Sequence, residues 1–152
     1  MPHCKTKYFG TVAYEERSVL EFPAGLPGFE TECRFLSLEQ PVHQPLVFLQ
    51  SVTTPDLCFI ALPAAAVEPS YELEMDDADL ELLAVETATG KDLLKLALVT
   101  ISETGMTANL LAPIVINTRN LRAVQAVSPS QRYSHLHPLG EAWVPEPESV
   151  CS

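Results

Sequence analysis

The sequence lacks most of the features that name a chemistry. Its six glycines never cluster in the spacing of a dinucleotide- or phosphate-binding loop, and no serine lies in a nucleophile-elbow pattern. No Cys-x-x-Cys pair occurs among the four cysteines, which excludes the usual zinc and thioredoxin-like spacings. No apolar run is long enough to span a membrane. These features alone assign no chemistry to the chain.

Basic residues are also scarce, and their distribution is uneven. The chain has 9 Lys and Arg against 20 Asp and Glu, for a net charge of −11. No Lys or Arg lies between Arg34 and Lys91, an interval that holds ten carboxylates. Such a field repels phosphates, so direct nucleic-acid or anionic-membrane binding is not expected, and it favours encounter with a basic protein surface. A solubilising face with no partner is the alternative interpretation.

Length and targeting signals place the protein in a broad class. A chain of 152 residues with 47% hydrophobic residues predicts one domain with a real core. The N-terminal MPHCKTKYFG does not have the pattern of a secretory signal, so a cytoplasmic protein is expected. We interpret Cys58 as a small core hydrophobe and the other cysteines as incidental thiols.

Short apolar segments separated by turn residues predict a mostly β protein. The expected fold is an antiparallel β-barrel-like domain over residues 1–139 with one or two short helices, followed by a flexible tail over 140–152. Residues 76–83 are the best helix candidate, since Asp76 or Asp77 can cap it. The predicted strands are 7–13, 18–22, 34–38, 46–52, 57–62, 93–101, 108–117 and 121–127.

A few residues interrupt this pattern in an informative way. Pro27-Gly28 fits the centre of a type II turn, and Pro113 within an apolar strand predicts an edge or a bulge. Gln50 and Asn109 are polar residues inside apolar strands, which is costly unless they are hydrogen-bonded. They either satisfy buried backbone at a bulge or strand end, or they form the rim of a partner-binding groove.

Two catalytic or metal-binding alternatives find little support. A general acid–base pair needs two carboxylates held in unlike environments of one cleft, which an abundance of carboxylates does not show. His135 and His137 would lie on one side of an extended segment, yet no third ligand has metal-like spacing. Solvent-facing histidines are the simpler interpretation.

Several blocks in order resemble the FliW family of flagellar assembly factors over about residues 6–139. They are TKYFG at 6–10, LEFPAGLPGFE at 20–30, FLQSVTTPDLCF at 48–59, an acidic stretch at 71–83, LALVTI at 96–101, MTANLLAPIVIN at 106–117 and RYSHLHPL at 132–139. The resemblance implies a monomeric cytoplasmic factor, without catalysis or a cofactor, that binds flagellin and antagonises the translational repressor CsrA. Flagellin would occupy the factor, and its export would free the factor to capture CsrA.

The resemblance and the charge pattern together suggest contact residues. We expect CsrA to bind the acidic segment 68–86 and flagellin to bind apolar surface near 48–59 and 106–117. A flagellin-binding chaperone without CsrA regulation is the alternative. The candidate residues are Glu72, Glu74, Asp76, Asp77, Asp79, Phe48, Gln50 and Asn109.

The chain departs from the family pattern at four places. Phe48 stands where the family commonly has tryptophan, and the loop over 102–105 is shorter than usual. The run over 64–67 is less bulky than usual, and the tail after Leu139 is longer. The first three changes affect packing or a groove wall, so they bear on partner affinity more than on fold.

Overall fold

The computed structural model describes residues 1–87, 90–103, 105–130 and 132–140 of the chain, which fold around one closed β-sheet. Two single-turn 3-10 helices, Glu16–Ser18 and Pro41–His43, lie in the connections. In chain order the other elements are β1 His3–Thr6, β2 Gly10–Ala13, β3 Leu20–Glu21, β4 Arg34–Glu39, β5 Val47–Ser51, β6 Cys58–Pro63, α1 Ala64–Val67, α2 Asp77–Leu83, β7 Leu93–Ser102, β8 Gly105–Asn117, β9 Arg122–Gln125 and β10 His137–Pro138.

Seven strands close the barrel. Strands β3 to β8 pair antiparallel in the order β3-β4-β5-β6-β7-β8, and β9 pairs antiparallel with β8. The ring closes where β9 meets β3, and this one pair is parallel, at Glu21 and Arg122. The β1–β2 hairpin lies outside the ring, and β10 adds to the edge of β8. The predicted mostly β, antiparallel barrel-like fold with one or two short helices is confirmed.

Alternating side chains fill the barrel interior, as the period of a strand requires. Phe22 and Phe35 meet edge to face with ring centroids 5.3 Å apart, and both are fully buried. Leu49, Leu96 and Ile114 from β5, β7 and β8 complete the same cluster. A second cluster lies under α2 and a third under α1, so both helices cover apolar patches on the outer face of the sheet.

The turns that the sequence predicts from proline and glycine agree with the structure. The Phe29 N–H donates to Leu26 O at 2.7 Å, and Gly28 has φ +84, which is the predicted type II turn. Strands β5 and β6, which correspond to the predicted strands 46–52 and 57–62, pair antiparallel as a hairpin. Gly25 (φ +66) is required for another reason, because a Cβ there would lie 2.4 Å from the Glu30 carbonyl oxygen.

Two local predictions need correction, and two elements were not predicted. The predicted strand over 7–13 is a hairpin turn followed by β2, because the Thr6 hydroxyl donates to Gly10 O and accepts from Phe9 N–H. Strand β10 and helix α1 were not predicted, because neither has a turn or capping signal of its own. The buried core cysteine is Cys4, whereas Cys58 is only half-buried.

Two expectations concern the chain's limits. The predicted tail lies outside the described residues except for Gly140. Among the described helices, none has both the length and the apolar character that a membrane crossing needs.

Candidate partner-binding surface

The acidic segment, defined as residues 68–86, packs against the outer face of the barrel and contains α2. The Asp76 carboxylate accepts a hydrogen bond from the Asp79 N–H at 2.8 Å and caps the helix, as predicted. Leu83 packs fully buried in the cluster under α2. Its carbonyl oxygen accepts from the side-chain amides of Asn117 at 2.9 Å and Asn120 at 3.2 Å. The barrel therefore fixes the helix and turns its carboxylates outward.

The predicted acidic residues do come together on this segment. Glu72, Glu74, Asp76 and Asp77 are exposed, and Asp79 is partly buried. Partial burial, the neighbouring Asp76 carboxylate and its hydrogen bond raise the pKa of Asp79. The surface thus concentrates negative charge, and the repulsion between the Asp76 and Asp79 carboxylates is unfavourable to the folded state.

Little positive charge of the protein neutralises this surface. Within the part of the chain that the structure describes, the one ion pair reaching the segment joins Arg132 Nη1 to Glu72 Oε2 at 3.4 Å. Both side chains are mostly exposed, so the pair contributes little to stability. The acidic segment therefore presents charge that a basic partner can pair with.

A C-terminal strap, defined as residues 132–139, lies beside the acidic segment. The Tyr133 ring packs against Tyr71 with centroids 4.5 Å apart, and its hydroxyl accepts from Glu72 N–H at 3.0 Å. The Tyr71 hydroxyl donates to Leu110 O at 2.8 Å, and burial raises the pKa of Tyr71 to about 12. Two tyrosines thus tie the acidic segment to the strap and to β8.

Asn109 lies where the β7–β8 ladder is interrupted. Leu96 pairs with Ile114 but Leu98 pairs with Asn109, so the residues between bulge out of β8. The Asn109 side-chain oxygen accepts from Ala112 N–H at 2.9 Å inside this bulge. This bond agrees with the structural interpretation of Asn109, and the bulge predicted at Pro113, in the same segment, is confirmed.

Phe48 and Gln50 are buried in β5 rather than exposed to a partner. Phe48 is 5% exposed and meets the Phe9 ring edge to face at 5.2 Å. Gln50 is 0% exposed, and its amide nitrogen donates to Ser51 O at 3.0 Å and Pro55 O at 3.2 Å. The amide nitrogen of Gln50 thus satisfies buried backbone, as the structural interpretation expects, whereas its Oε1 is buried without a hydrogen-bond partner among the described residues. Any effect of these two residues on binding would act through the surface that they support.

Sequence reasoning missed a hydroxyl cluster around Glu32. Its carboxylate accepts from the Ser51 hydroxyl at 2.5 Å, the Thr54 hydroxyl at 2.6 Å and the Thr53 hydroxyl at 3.2 Å. These bonds, with that of Ser51 foremost, lower the pKa of Glu32. These hydrogen bonds connect the loop after Gly28 to the β5–β6 turn. No local spacing signals it, because the partners lie about twenty positions away in sequence.

The structure does not gather all eight candidates in one place. The five acidic residues share one surface, whereas Phe48 and Gln50 lie on β5 and Asn109 lies on β8. His135 is exposed and His137 is half-buried in β10. Across the described ranges, no three His, Cys, Asp or Glu side chains converge as metal ligands would.

Comparison with known proteins agrees with this architecture. The family model described as FliW protein matches residues 3–139. The chain belongs to the FliW family. Its FliW relatives include the flagellar assembly factors of Caldanaerobacter subterraneus subsp. tengcongensis, 38% identical over 90% of this chain and 91% of the relative, and of Bacillus subtilis, 36% identical over 89% and 94%. A solved crystal structure of the flagellar assembly factor FliW superposes with TM-score 0.81 at 34% identity, covering 94% of this chain and 100% of that one.

Proposed function

We propose that this protein is a cytoplasmic, monomeric flagellar assembly factor that binds flagellin and antagonises CsrA without catalysis or a cofactor. Family membership over residues 3–139 carries the assembly role. The uncompensated acidic segment supports a basic protein partner, and CsrA, as an RNA-binding protein, is expected to carry basic surface. Relatives named as flagellar assembly factors match nearly full length.

The CsrA contact belongs on the acidic segment. Asp77 and Glu81 lie one helical turn apart on α2, and both are exposed. Glu72 and Glu74 continue the same charge toward the strap. Binding there would trade exposed carboxylates for charge-assisted contacts, so its affinity should fall with salt.

The flagellin contact belongs on apolar surface near the 48–59 block. Phe29 is 42% exposed and meets Phe59 of β6 edge to face, with centroids 5.7 Å apart. The Glu32 cluster holds the loop that carries Phe29, because the Thr54 hydroxyl of the β5–β6 turn donates to its carboxylate. Exposed aromatic surface on such a rigid support suits an amphipathic segment of a partner chain.

Two partners on one small protein give a switch governed by relative affinity and concentration. Flagellin that accumulates would keep the factor from CsrA, and its export would release the factor to capture CsrA. The coupling between partners is then a free energy that each partner must show toward the other.

Calorimetric titration with CsrA and, separately, with flagellin tests the proposal. We expect both to bind, with flagellin lowering the apparent affinity for CsrA. The D77K/E81K double variant should bind CsrA at least tenfold more weakly, on the order of 1.4 kcal/mol. The E15K/E39K variant carries the same change in net charge away from the acidic segment and should bind CsrA nearly as the parent does.

The outcomes separate the alternatives. Binding of flagellin alone would establish the chaperone without CsrA regulation. Equal losses in the two double variants would show that net charge, not the acidic segment, attracts CsrA. Binding of neither partner would refute the proposal.

A further inference from the structure

Residues 27–32 lie in the loop between β3 and β4 and carry Phe29. Among the described residues, the backbone hydrogen bonds of this stretch all stay within the loop. The Phe29 N–H donates to Leu26 O at 2.7 Å, and the Glu32 N–H donates to Phe29 O at 2.9 Å. Leu26 is buried in the barrel core, whereas residues 27–31 are exposed. Backbone bonding therefore shapes the stretch but does not attach it to the neighbouring strands.

Glu32 supplies the polar contact between this stretch and the barrel. Its Oε1 accepts from the hydroxyls of Ser51 at 2.5 Å and Thr53 at 3.2 Å, and its Oε2 accepts from the Thr54 hydroxyl at 2.6 Å. Ser51 Oγ also accepts from the Thr54 N–H at 2.9 Å, so the same hydroxyl orders the turn itself. Over described residues 27–33, no other side-chain hydrogen bond reaches beyond the loop.

The turn that receives Glu32 leads into the aromatic partner of Phe29. Thr54 lies in the turn before β6, and Phe59 lies on that strand. The Phe29 ring meets Phe59 edge to face with centroids 5.7 Å apart, and Phe59 packs in turn against Phe35 of the core at 6.0 Å. Phe29 is 42% exposed, so its ring is the outermost of the three. The Glu32 carboxylate thus joins the two chain segments whose rings form the exposed aromatic surface.

The chemistry of this contact suits a carboxylate. A carboxylate has only acceptor sites and can take all three hydroxyl donors at once, whereas an amide replaces one oxygen with an N–H donor. Hydrogen bonds to a charged acceptor are also stronger than those to a neutral one. The hydroxyl of Ser51, followed by that of Thr54, holds the pKa of Glu32 below its ordinary value, so the group is charged at neutral pH.

We propose that Glu32 is a positioning residue for the flagellin contact, because its carboxylate holds Phe29 against Phe59 and so orders the aromatic surface before flagellin arrives. A surface that is ordered in advance spares the complex the cost of ordering it. The inference rests on the proposed function for the identity of the partner, whereas the ring contact belongs to the protein alone. It gives Glu32 an effect on affinity without a contact between Glu32 and flagellin.

Two variants remove the contact from opposite sides. E32Q replaces the carboxylate, and T54V removes one hydroxyl donor while it leaves Glu32 unchanged. We expect both variants to bind flagellin about fivefold more weakly in calorimetric titration of the full chain, because flagellin then has to order the loop as it binds. The nuclear Overhauser effect between the ring protons of Phe29 and Phe59 should weaken in both variants without flagellin.

Each variant has a matched control. E39Q makes the same change as E32Q at an exposed glutamate of β4. T118V removes another threonine hydroxyl that connects two loops, since the Thr118 hydroxyl donates to Asp92 O at 2.9 Å. Both controls should bind flagellin as the parent does and should keep the Phe29–Phe59 ring contact.

The outcomes separate positioning from other roles. An unchanged ring contact in E32Q and T54V would overturn the proposal, as would parental flagellin affinity in variants that have lost this contact. Weaker binding by E32Q alone would make Glu32 a direct flagellin contact, and equal losses in the controls would remove the special role of this cluster. If the parent binds no flagellin, the proposed flagellin contact is refuted, and the ring contact in the variants decides by itself whether Glu32 positions Phe29.

Discussion

Three polar side chains serve the barrel where its backbone leaves regular pairing. Asn109 bonds the bulge in β8, Gln50 bonds the β5–β6 turn, and Glu32 collects three hydroxyl groups from that same turn. Buried or half-buried backbone groups at such irregularities need partners, and a side chain is the nearest source. These residues are therefore best tested by stability before binding is considered.

Asn109→Ala should destabilise the fold by about 1–2 kcal/mol, because it leaves the Ala112 N–H without an acceptor. Urea unfolding monitored by circular dichroism measures the loss. Asn109→Asp keeps an acceptor oxygen at neutral pH and should lose less. Parental stability of Asn109→Ala combined with lost flagellin binding would instead assign Asn109 to the partner interface.

Glu32→Gln should weaken the connection between the loop after Gly28 and the β5–β6 turn. A neutral amide accepts hydroxyl hydrogen bonds less strongly than a carboxylate does, and the site is partly solvated. The expected loss is on the order of 1 kcal/mol at pH 7. Glu39→Gln, an exposed change on β4, is the matched control and should be nearly neutral. Chemical denaturation of both variants measures the difference.

The same variant should change the response to acid. The folded-state pKa of Glu32 is lowered, so its stabilising effect is complete above the ordinary glutamate range, near pH 4–5, and is lost as pH falls through the lower folded value. Glu32→Gln should therefore differ most from the parent at neutral pH and converge with it in acid. If the stabilities of Glu32→Gln and the parent differed by the same amount at all pH values, the charge of the Glu32 carboxylate would not account for the loss.

At the scale of elements, α2 is short but defined at both ends. Asp76 caps its first turn, and Ala84 ends it in the left-handed conformation at φ +59. The Ala84 N–H donates to Glu81 O and Leu80 O. A left-handed residue after a helix favours glycine, because other residues crowd their own Cβ there.

Ala84→Gly should stabilise the protein by about 1 kcal/mol, because it relieves this conformation. Ala78→Gly, an equally exposed site inside the same helix, should destabilise it by about 1 kcal/mol. Thermal unfolding of the two variants compares opposite effects of one substitution. Destabilisation by Ala84→Gly would show that the C-terminal end of α2 tolerates alanine without strain.

Some elements could be predicted from sequence because their signals are local. The Pro27-Gly28 turn, the Asp76 cap and the bulge near Pro113 all depend on intrinsic backbone preferences. The turn over residues 7–9 was missed, because its alternation resembles a strand and a single threonine hydroxyl closes it. Strand β10 and the Glu32 cluster could not be predicted, because their partners are distant in sequence.

At the scale of the whole molecule, charge and closure are distributed unevenly. The interval between Arg34 and Lys91 contains ten carboxylates and no Lys or Arg, and it includes α2. Of the strand pairings that close the ring, the parallel pairing of β3 with β9 is the shortest, because it has only one pair of opposed residues. Strand β3 has only two residues, so it can offer the seam few hydrogen bonds. Sequence patterning indicated a barrel but gave no register for this seam.

The seam should be the first part of the barrel to open. The seam has a single register pair, and its Glu21 N–H donates to Leu121 O at 2.9 Å. Leu96, in contrast, is fully buried and pairs with Ile114 in the longest ladder. Native-state hydrogen exchange, corrected for intrinsic rates, should therefore show the Glu21 amide at least about tenfold less protected than that of Leu96. Added denaturant should change exchange at Glu21 less, because opening the seam exposes less surface than global unfolding does. Equal protection and equal denaturant dependence would mean that the ring opens only when the whole domain unfolds, so that one parallel pair suffices to make barrel closure fully cooperative.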